Sequence, residues 1–424
     1  MRSTLTTLYL LVIALVFVAC ENSQNTTDKV ANAMPKSAKR GVAFNFSVLE
    51  DLPILCDAIS WNYNWGNTQN ETAATWMDGE QIDFCPMCWN GSYSASAIRS
   101  YVAAHPNTKY LLAFNEPNLT DQANMTPAQA AAIWTPVVDL AKELKLKLVS
   151  PAMNYGTLAG YNDPSKWLDE FFAQPNVSID DIDAISIHCY MANPAAVKNY
   201  VQMFAKYKKP IWVTEFCAWE EYAIHSEEDQ IRYMCEVLNY MEQSNLVARY
   251  AWFIPRAKAG FPYMQLLTSG VPAELTAAGK VYCGFSSFDK STWIRADVQH
   301  VSAANYSAIN ADAIQVRPST SGDGNGLMLS SLDAGKEISY QTYTEQTVSK
   351  ILLRYASLAQ AEIFIYVDNS NVGYFQLPAA GDNIQSWATV ELPIEMSKGK
   401  HTLGIEIISG TINLSWFQLK KIRY

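Results

Sequence analysis

The sequence has too little positive charge for a typical nucleic-acid-binding protein. Its 424 residues include 31 Lys and Arg against 41 Asp and Glu, a formal net charge of −10. Phosphate backbones are bound by basic side chains that gather on one face, and the sequence contains no basic cluster. Nucleic acid is therefore not an expected partner.

The cysteines lack the spacing of a zinc site. Cys85-Pro-Met-Cys88 is a CxxC motif, but the other cysteines supply no second pair at that spacing. Structural zinc normally takes four ligands. The favoured interpretation is that Cys85 and Cys88 are buried apolar side chains, with a local disulfide or a metal site as alternatives.

One apolar run, Leu8 to Val18, is too short to span a membrane comfortably, and Ala19-Cys20 follows it. This junction resembles the lipobox of bacterial lipoproteins, so residues 1–20 are predicted to be a lipoprotein-type signal peptide with a lipid anchor on Cys20. The expected location is the bacterial outer membrane or cell surface. An ordinary cleaved signal peptide, with a periplasmic or secreted product, is the alternative. The polar residues 21–38 are predicted to be a flexible tether.

Aromatic side chains are abundant, and the chain is long enough for two domains. Twelve Trp and 23 Tyr contribute to an aromatic content of 12%. Such side chains suit flat apolar ligands such as sugar rings.

Residues 39–285 alternate short apolar runs with helical patterns, as in a (β/α)8 TIM barrel. The helical patterns include 128–144, 167–172 and 227–242. An open sheet of seven or nine strands is the alternative, because the second run is weak. The eight runs predicted as strands are 41–46, 58–61, 81–86, 109–114, 147–151, 182–189, 210–216 and 249–254.

The active face of such a barrel lies at the carboxyl ends of its strands, where polar and aromatic residues follow most of these runs. His188 could instead be a structural histidine, and about half of the Trp residues could belong to the core. Trp252 is the preferred sugar platform. The candidates are Trp61, Asn64, Trp65, Trp89, Asn115, Glu116, Asn154, Tyr155, His188, Tyr190, Glu215 and Trp252.

Glu116 and Glu215 form the predicted catalytic pair. Pro117 ends the fourth strand and holds Glu116 at its rim. Glu215 follows the seventh strand, 99 positions later, close to three β/α units of roughly 30 residues. Two carboxylates facing each other across a barrel mouth suit glycoside hydrolysis. The alternative is that each carboxylate caps a helix or forms a salt bridge.

The motifs FNEPNLTDQANMTPAQAAAIW, LVSPAMNY, WLDEFF, ISIHCYM, KPIWVTEFCAW and VARYAWF resemble glycoside hydrolase family 128, clan A barrels that include endo-β-1,3-glucanases. The resemblance implies a retaining mechanism with Glu116 as acid/base and Glu215 as nucleophile. It also implies that Asn115 binds the sugar 2-hydroxyl. Cys85 and Cys88 depart from the family, which more often has aliphatic residues there.

Retaining chemistry requires the two carboxyls to lie about 5 to 5.5 Å apart. Glu215 should stay ionised beside donors such as His188 or Tyr190. Glu116 should hold its proton near neutral pH because burial disfavours its charge.

Residues 288–424 lose helical periodicity and are predicted to form an all-β jelly-roll sandwich. The segments IRAD, SGDGNGL, ISY, WATVELP, KGKHTLGIEI and INLSWFQL resemble a family 6 carbohydrate-binding module or a close relative. That resemblance implies a loop site, with Tyr340, Trp387 and Asn413 as candidates. It also implies a structural calcium with Asp297 as a ligand, although Arg295 and Ser415 replace expected oxygen ligands. A non-binding, stabilising sandwich is the alternative.

The expected function is therefore endo-acting hydrolysis of a laminarin-type β-1,3-glucan polysaccharide or oligosaccharide by a monomer that needs no cofactor for catalysis. One alternative is a glycan-binding surface protein with an inactive barrel. Another is a hydrolase of a different β-glycan.

Overall fold

A computed structural model describes residues 28–421 except 259, 261, 312–313 and 323–324. The predicted signal peptide and the anchor at Cys20 lie outside the described residues. Within the described part of the chain, no helix combines the length and the apolar character needed to cross a membrane.

The N-terminal domain alternates strands with helices. A short strand, β1 (Lys29–Ala31), precedes it. Its own strands are β2 (Arg40–Ala43), β3 (Trp61–Tyr63), β4 (Asp83–Phe84), β5 (Tyr110–Leu112), β6 (Lys147–Val149), β7 (Ile185–Cys189), β8 (Ile211–Phe216) and β9 (Val247–Trp252). Each overlaps one of the eight predicted runs, although β3 shares only Trp61 with the second.

The helices of this domain are α1 (Leu52–Leu55), α2 (Glu71–Gly79), α3 (Ala95–Ala104), α4 (Pro127–Ala132), α5 (Thr135–Leu144), α6 (Pro164–Phe172), α7 (Pro194–Met203), α8 (Glu227–Gln243) and α9 (Ala277–Gly284). Short 3-10 helices cover Leu49–Asp51, Ile179–Asp181 and Phe204–Tyr207. The single helix predicted over 128–144 is divided, because a second helix starts at Thr135 with a proline in its first turn.

The strands of this domain run parallel and form a TIM-barrel-like arrangement. One sheet has the order β4-β3-β2-β9-β8-β7, and a second pairs β5 with β6. Isolated parallel bridges, Met87 to Leu112 and Val149 to Ala184, connect the two sheets. The carboxyl ends of the strands therefore meet on one side, where the candidate residues lie.

The space enclosed by the strands is filled by side chains. Alternate strand residues face inward, and Arg249 lies among their rings, with its guanidinium 4.5 Å from the Tyr110 ring and 4.7 Å from the Trp212 ring. The Asp83 carboxylate lies 2.5 Å from this guanidinium and neutralises its charge. The inward cluster comprises Ala43, Trp61, Tyr63, Cys85, Met87, Leu112, Val149, Ala184, Trp212 and Ala251.

Cys85 and Cys88 are buried free cysteines, which confirms the favoured interpretation of the CxxC motif. Cys85 belongs to the inward cluster, and Cys88 belongs to the apolar core outside it. Burial raises the pKa of the Cys85 thiol to about 12, so the thiol stays protonated at neutral pH.

The C-terminal domain is all β, as predicted. Its strands are β10 (Thr292–Arg295), β11 (Val301–Ser302), β12 (Ala308–Ile309), β13 (Gln315–Pro318), β14 (Leu327–Asp333), β15 (Glu337–Thr344), β16 (Val348–Ala356), β17 (Ala361–Val367), β18 (Ser370–Leu377), β19 (Ala388–Met396), β20 (Gly399–Ser409) and β21 (Thr411–Lys420). One sheet has the order β1-β10-β15-β20-β17-β18, and the other has the order β13-β14-β21-β16-β19.

Strand β1 corrects part of the tether prediction. It pairs with β10 in parallel register, with Lys29 opposite Thr292. Ser37, farther along the same segment, is buried and donates to Glu242 at 2.9 Å. The chain therefore contacts the folded domains at β1 and at Ser37, although most residues between these two points are exposed.

The sandwich packs against helix α8 of the barrel. Asn239 donates to the Ile314 carbonyl at 3.1 Å and accepts from the Tyr306 hydroxyl at 3.1 Å. Arg317 pairs with Glu228 at 2.6 Å. The two domains therefore share a hydrogen-bonded interface.

Candidate active site

A β-bulge turns Glu215 toward the centre of the barrel. Val213 and Phe216 of β8 pair with Tyr250 and Trp252 of β9, so β8 carries one extra residue there. Its pairing with β7 shows the same extra residue. Without the bulge, alternation from the inward Trp212 would direct Glu215 outward, and bulges commonly re-aim side chains beside active sites.

Glu116 lies just beyond β5 in a strained backbone conformation. Its φ of 43° is in the left-handed region, which is costly for a residue with a side chain. Two donors hold its carboxylate: the Asn154 amide at 2.9 Å and His188 Nδ1 at 2.8 Å, both at Oε1. Residues from the ends of three strands, β5, β6 and β7, thereby fix the position of Glu116.

Three aromatic side chains surround the carboxylate of Glu215. The Tyr63 hydroxyl donates to Oε1 at 2.7 Å, and the Trp65 indole donates to the same atom at 2.8 Å. The Tyr190 hydroxyl donates to Oε2. Burial, followed by the charge of Glu215, raises the pKa of both tyrosines well above its usual value, so both hydroxyls remain donors.

His188 connects the two carboxylates. Its Nδ1 lies 2.8 Å from Glu116 Oε1 and 3.5 Å from Glu215 Oε2. These distances add up to 6.3 Å, so the two oxygens lie no farther apart than that. The structure therefore brings together the two glutamates that the sequence places 99 positions apart.

The pKa of Glu116 differs from the expectation that burial keeps it protonated. Burial does raise its pKa, but the charge of His188 and the hydrogen bonds from His188 and Asn154 outweigh burial and lower it below 4.5. Burial lowers the pKa of His188, yet the two glutamates raise it above 6.5. Both shifts favour a charged His188 beside an ionised Glu116.

The carboxylates face a cavity of about 310 Å³. Asn115 donates to Gln122 at 3.1 Å, and none of the described residues donates to its buried Oδ1. A bound hydroxyl would satisfy this oxygen. The lining residues are Trp65, Trp89, Asn115, Glu116, Gln122, Tyr190, Glu215 and Phe253.

Three of the substrate-binding residues predicted in the barrel neither line this cavity nor form a hydrogen bond with either glutamate. Trp61 is fully buried and donates to the Lys39 carbonyl at 2.9 Å. Trp252 is also fully buried and donates to the Met264 carbonyl at 2.7 Å. Asn64 shapes its own loop by accepting from the Gly66 amide at 3.0 Å. The two tryptophans are core residues, and Asn64 is a turn residue.

Tyr63, Gln122 and Phe253 are site residues that sequence reasoning missed. Tyr63 lies between Trp61 and Trp65 at every second position, so strand alternation places all three on the inward face. Depth along the strand then separates them, because Trp61 is packed in the interior while Trp65 reaches the cavity. No comparable signal marks Gln122.

The three predicted loop-site residues of the sandwich are not brought together. Tyr340 is buried in the core, and its hydroxyl donates to the Ala303 carbonyl at 2.9 Å. The side-chain oxygen of Asn413 accepts from the Ser331 backbone amide, and its side-chain nitrogen donates to the Ile384 carbonyl. Only Trp387 remains half-buried at the surface.

The surroundings of Asp297 do not fit calcium. Its carboxylate lies 3.4 Å from the Arg295 guanidinium and accepts from the Glu345 amide at 2.9 Å. In the described part of the chain, no group of three or more His, Cys, Asp or Glu side chains could hold a metal ion. A neighbouring cation opposes calcium, which favours several oxygen ligands with net negative charge.

Comparisons with known proteins match each domain separately. A family model described as "Glycosyl hydrolase catalytic core" matches residues 41–282, more than half of the chain. A model described as "Carbohydrate binding module (family 35)" matches residues 310–419. The sandwich is therefore similar to family 35, and the predicted resemblance to family 6 in particular is not confirmed.

Two solved structures resemble the barrel domain. One is a GH128 (subgroup II) endo-β-1,3-glucanase from Pseudomonas viridiflava, 36% identical, with a TM-score of 0.54 over 58% of this chain and 98% of that one. The other is a GH128 (subgroup II) endo-β-1,3-glucanase from Sorangium cellulosum, 32% identical, with a TM-score of 0.51 over 58% and 97%.

A curated protein, alkali-sensitive linkage protein 1 of Schizosaccharomyces pombe, is 25% identical over 210 residues. The match covers 48% of this chain and only 36% of that protein's length.

Proposed function

Because this chain belongs to the glycosyl hydrolase catalytic core family and to glycoside hydrolase family 128, we propose that it is an endo-acting β-1,3-glucanase. The observation that carries the proposal is the pair of buried carboxylates, Glu116 and Glu215, joined by His188 at the end of the cavity. Two structures at least 30% identical to this chain are endo-β-1,3-glucanases, which supports the choice of glucan.

We assign a retaining, double-displacement mechanism to the pair. Retaining glycosidases hold their carboxyls about 5 to 5.5 Å apart, whereas inverting ones hold them about 6.5 to 9.5 Å apart. The limit of 6.3 Å between Glu116 Oε1 and Glu215 Oε2 supports the shorter class. Glu215, which accepts hydrogen bonds from Tyr63, Trp65 and Tyr190, attacks the anomeric carbon. Glu116 protonates the leaving oxygen and later activates water.

The proton that Glu116 donates is shared with His188. In the resting site, His188 is the protonated partner because its pKa is raised and that of Glu116 is lowered. A sugar that excludes water weakens the solvation of this ion pair, which favours transfer of the proton from Nδ1 to Glu116 Oε1 across 2.8 Å. Glu116 then has the proton that a general acid requires.

Asn115 and the aromatic walls position the substrate. The unpaired Oδ1 of Asn115 can accept the sugar 2-hydroxyl, while Trp65, Trp89 and Phe253 offer rings for the sugar faces. Hydrogen bonds to the 2-hydroxyl strengthen in the transition state of glycoside hydrolysis.

The test of the mechanism combines NMR with Glu116→Ala. Wild-type enzyme acting on laminarin should first release the β-anomer. Glu116→Ala should lose most activity on laminarin but much less on an aryl β-glucoside with a good leaving group, which needs little protonation. Glu170→Ala, which removes a carboxylate on α6 whose side chain is 45% exposed, is the control. Initial release of the α-anomer, or equal losses on both substrates, would refute the assignment.

A glycan-binding protein with an inactive barrel is the second candidate, and the family 35 match of the sandwich favours it. Release of reducing sugar from laminarin, compared with retardation in a laminarin gel, separates the two functions. Retardation without release would support binding alone. Release from xylan or a branched β-1,3/1,6-glucan in place of laminarin would identify a hydrolase of another β-glycan.

We further infer that the eight strands close into a (β/α)8 barrel through the bridges at Met87 and Val149, and that the sandwich is a jelly roll. We also propose export as a lipoprotein anchored through Cys20. Metabolic labelling with a fatty acid tests the anchor, because Cys20→Ser should abolish the label.

A further inference from the structure

The outer surface of the sandwich carries a group of aromatic side chains on strands β17 and β18. Along β17, Ile363 and Ile365 face the core, so Phe364 and Tyr366 face outward. Tyr374 of β18 pairs directly with Phe364 and is 48% exposed. We call Phe364, Tyr366 and Tyr374 the outer aromatic face.

The three rings form one continuous surface. The Phe364 and Tyr374 ring centroids are 5.6 Å apart with an angle of 60° between the planes. The Phe364 and Tyr366 centroids are 6.2 Å apart at 78°. Contiguous exposed apolar groups commonly mark a binding surface.

Carboxylates fix the orientation of the two tyrosines. Tyr374 donates to Glu362 at 2.5 Å, and Tyr366 donates to Glu406 at 2.6 Å. Ser409 also donates to Glu362 at 2.8 Å. Rings that are held before binding lose less entropy when a ligand arrives.

A missing side chain opens a space beside Tyr366. Gly404 of β20 pairs with Tyr366 on the same face. A Cβ at Gly404 would approach the Tyr366 Cβ to 3.2 Å. A side chain at position 404 would therefore crowd Tyr366.

The other sheet presents a different outer surface. Lys350 pairs with Glu391 at 2.6 Å, and Arg354 donates to Thr389 at 3.1 Å, so polar and charged side chains cover this surface. The outer aromatic face instead combines rings with two carboxylates, Glu362 and Glu406. Acidic acceptors suit the hydroxyls of a neutral ligand and repel an anionic polymer.

We propose that the outer aromatic face is a carbohydrate-binding site for a neutral glucan chain, separate from both the catalytic cavity and the predicted loop site. Sugar rings stack on Phe364 and Tyr374, and hydroxyls donate to Glu362 and Glu406. The site lies within the region that the carbohydrate-binding-module family model matches. Only the choice of β-1,3-glucan as ligand rests on the proposed function.

Affinity electrophoresis of the full chain tests the site, with laminarin, mixed-linkage β-glucan and xylan as probes. Phe364→Ala and Tyr374→Ala should each weaken retention about fivefold, the effect of losing one stacking ring. Tyr374→Phe keeps the ring and should stay within about twofold of wild type. Trp76→Ala removes an aromatic that is 43% exposed on α2 and should change nothing. Melting curves confirm folding, and all four variants should hydrolyse laminarihexaose at the wild-type rate.

Three outcomes would overturn the proposal. One is unchanged retention of both alanine variants on every glycan. Another is a loss confined to Trp387→Ala, which would place binding at the loop site. The third is a concentration-dependent dimer that Tyr374→Ala dissociates, which would make the face a contact between copies. If laminarin is retained through Tyr374 but never cleaved, the glucanase proposal fails and this site remains.

Discussion

The barrel mouth and the domain cores use the polar atoms of aromatic side chains differently. At the mouth, Tyr63, Trp65 and Tyr190 donate to the carboxylate of Glu215. In the cores, the donors Trp61, Trp252 and Tyr340 each reach a backbone carbonyl. A carbonyl acceptor satisfies a buried donor and completes the packing, whereas a carboxylate must keep its charge available for chemistry.

The outer aromatic face of the sandwich follows the pattern of the mouth. Tyr366 and Tyr374 donate to Glu406 and Glu362 rather than to the backbone. Among these eight residues, the partner of the aromatic donor distinguishes the mouth and the outer aromatic face from the core, although the buried Tyr250 also donates to a carboxylate, that of Glu242. The following variants test this distinction, in order of decreasing expected effect.

Glu215→Gln should have the largest effect. It keeps the size of the side chain but removes the nucleophilic carboxylate, so kcat on laminarin should fall at least about 10⁴-fold, as for other catalytic groups. Binding of laminarin in an affinity gel should persist. Glu220→Gln changes a nearby loop carboxylate, which accepts from the Ala192 amide, and should retain most activity. Turnover above about 1% in Glu215→Gln would remove this residue from the nucleophile role.

Trp252→Ala and Trp65→Phe should separate the core from the mouth. Loss of the fully buried Trp252 should destabilise the fold by about 3 to 5 kcal/mol, measured by urea unfolding, with kcat per folded molecule nearly unchanged. Trp65→Phe removes the 2.8 Å hydrogen bond to Glu215 and should lower kcat about tenfold or more at nearly constant stability. The reverse pattern would show that Trp252 contacts substrate.

His188→Gln should change how stability depends on pH. The pKa of His188 is raised, so its stabilising effect is complete below 6.5 and is lost as pH rises through the folded value. The pKa of Glu116 is lowered, so its effect is complete above 4.5 and is lost as pH falls. The free energy of unfolding of the wild type should exceed that of the variant most between pH 4.5 and 6.5, by about 1 to 3 kcal/mol. If the free energy of unfolding depended on pH in the same way for wild type and variant from pH 4 to 9, the ion pair between His188 and Glu116 would be contradicted.

The sequence predicted the order of strands well because alternation and apolar runs are local properties. All eight barrel strands overlap predicted runs, and the sandwich strands β15, β19, β20 and β21 overlap the segments ISY, WATVELP, KGKHTLGIEI and INLSWFQL. The inward direction of Glu215 depends on a bulge that only pairing with β7 and β9 reveals. The lowered pKa of Glu116 depends on His188, 72 residues away. Depth in the barrel, which decides the role of Trp61, is likewise set by tertiary packing.

Tyr340→Phe should have the smallest effect and tests the core side of the distinction. The hydroxyl donates only to the Ala303 carbonyl, and the ring packs edge-on against Phe417 with centroids 4.8 Å apart. Removing the hydroxyl leaves one buried carbonyl unpaired, so stability should fall by about 1 kcal/mol. Retention by laminarin should equal that of wild type, because the ring lies between the sheets. Tyr374→Phe, which removes a hydroxyl from the outer aromatic face, is the matched variant. It should leave stability unchanged, since the partly exposed Glu362 can accept from water in place of the lost hydroxyl. A Tyr340→Phe protein of wild-type stability that no longer binds laminarin would show that a buried donor to a backbone carbonyl can serve a binding site.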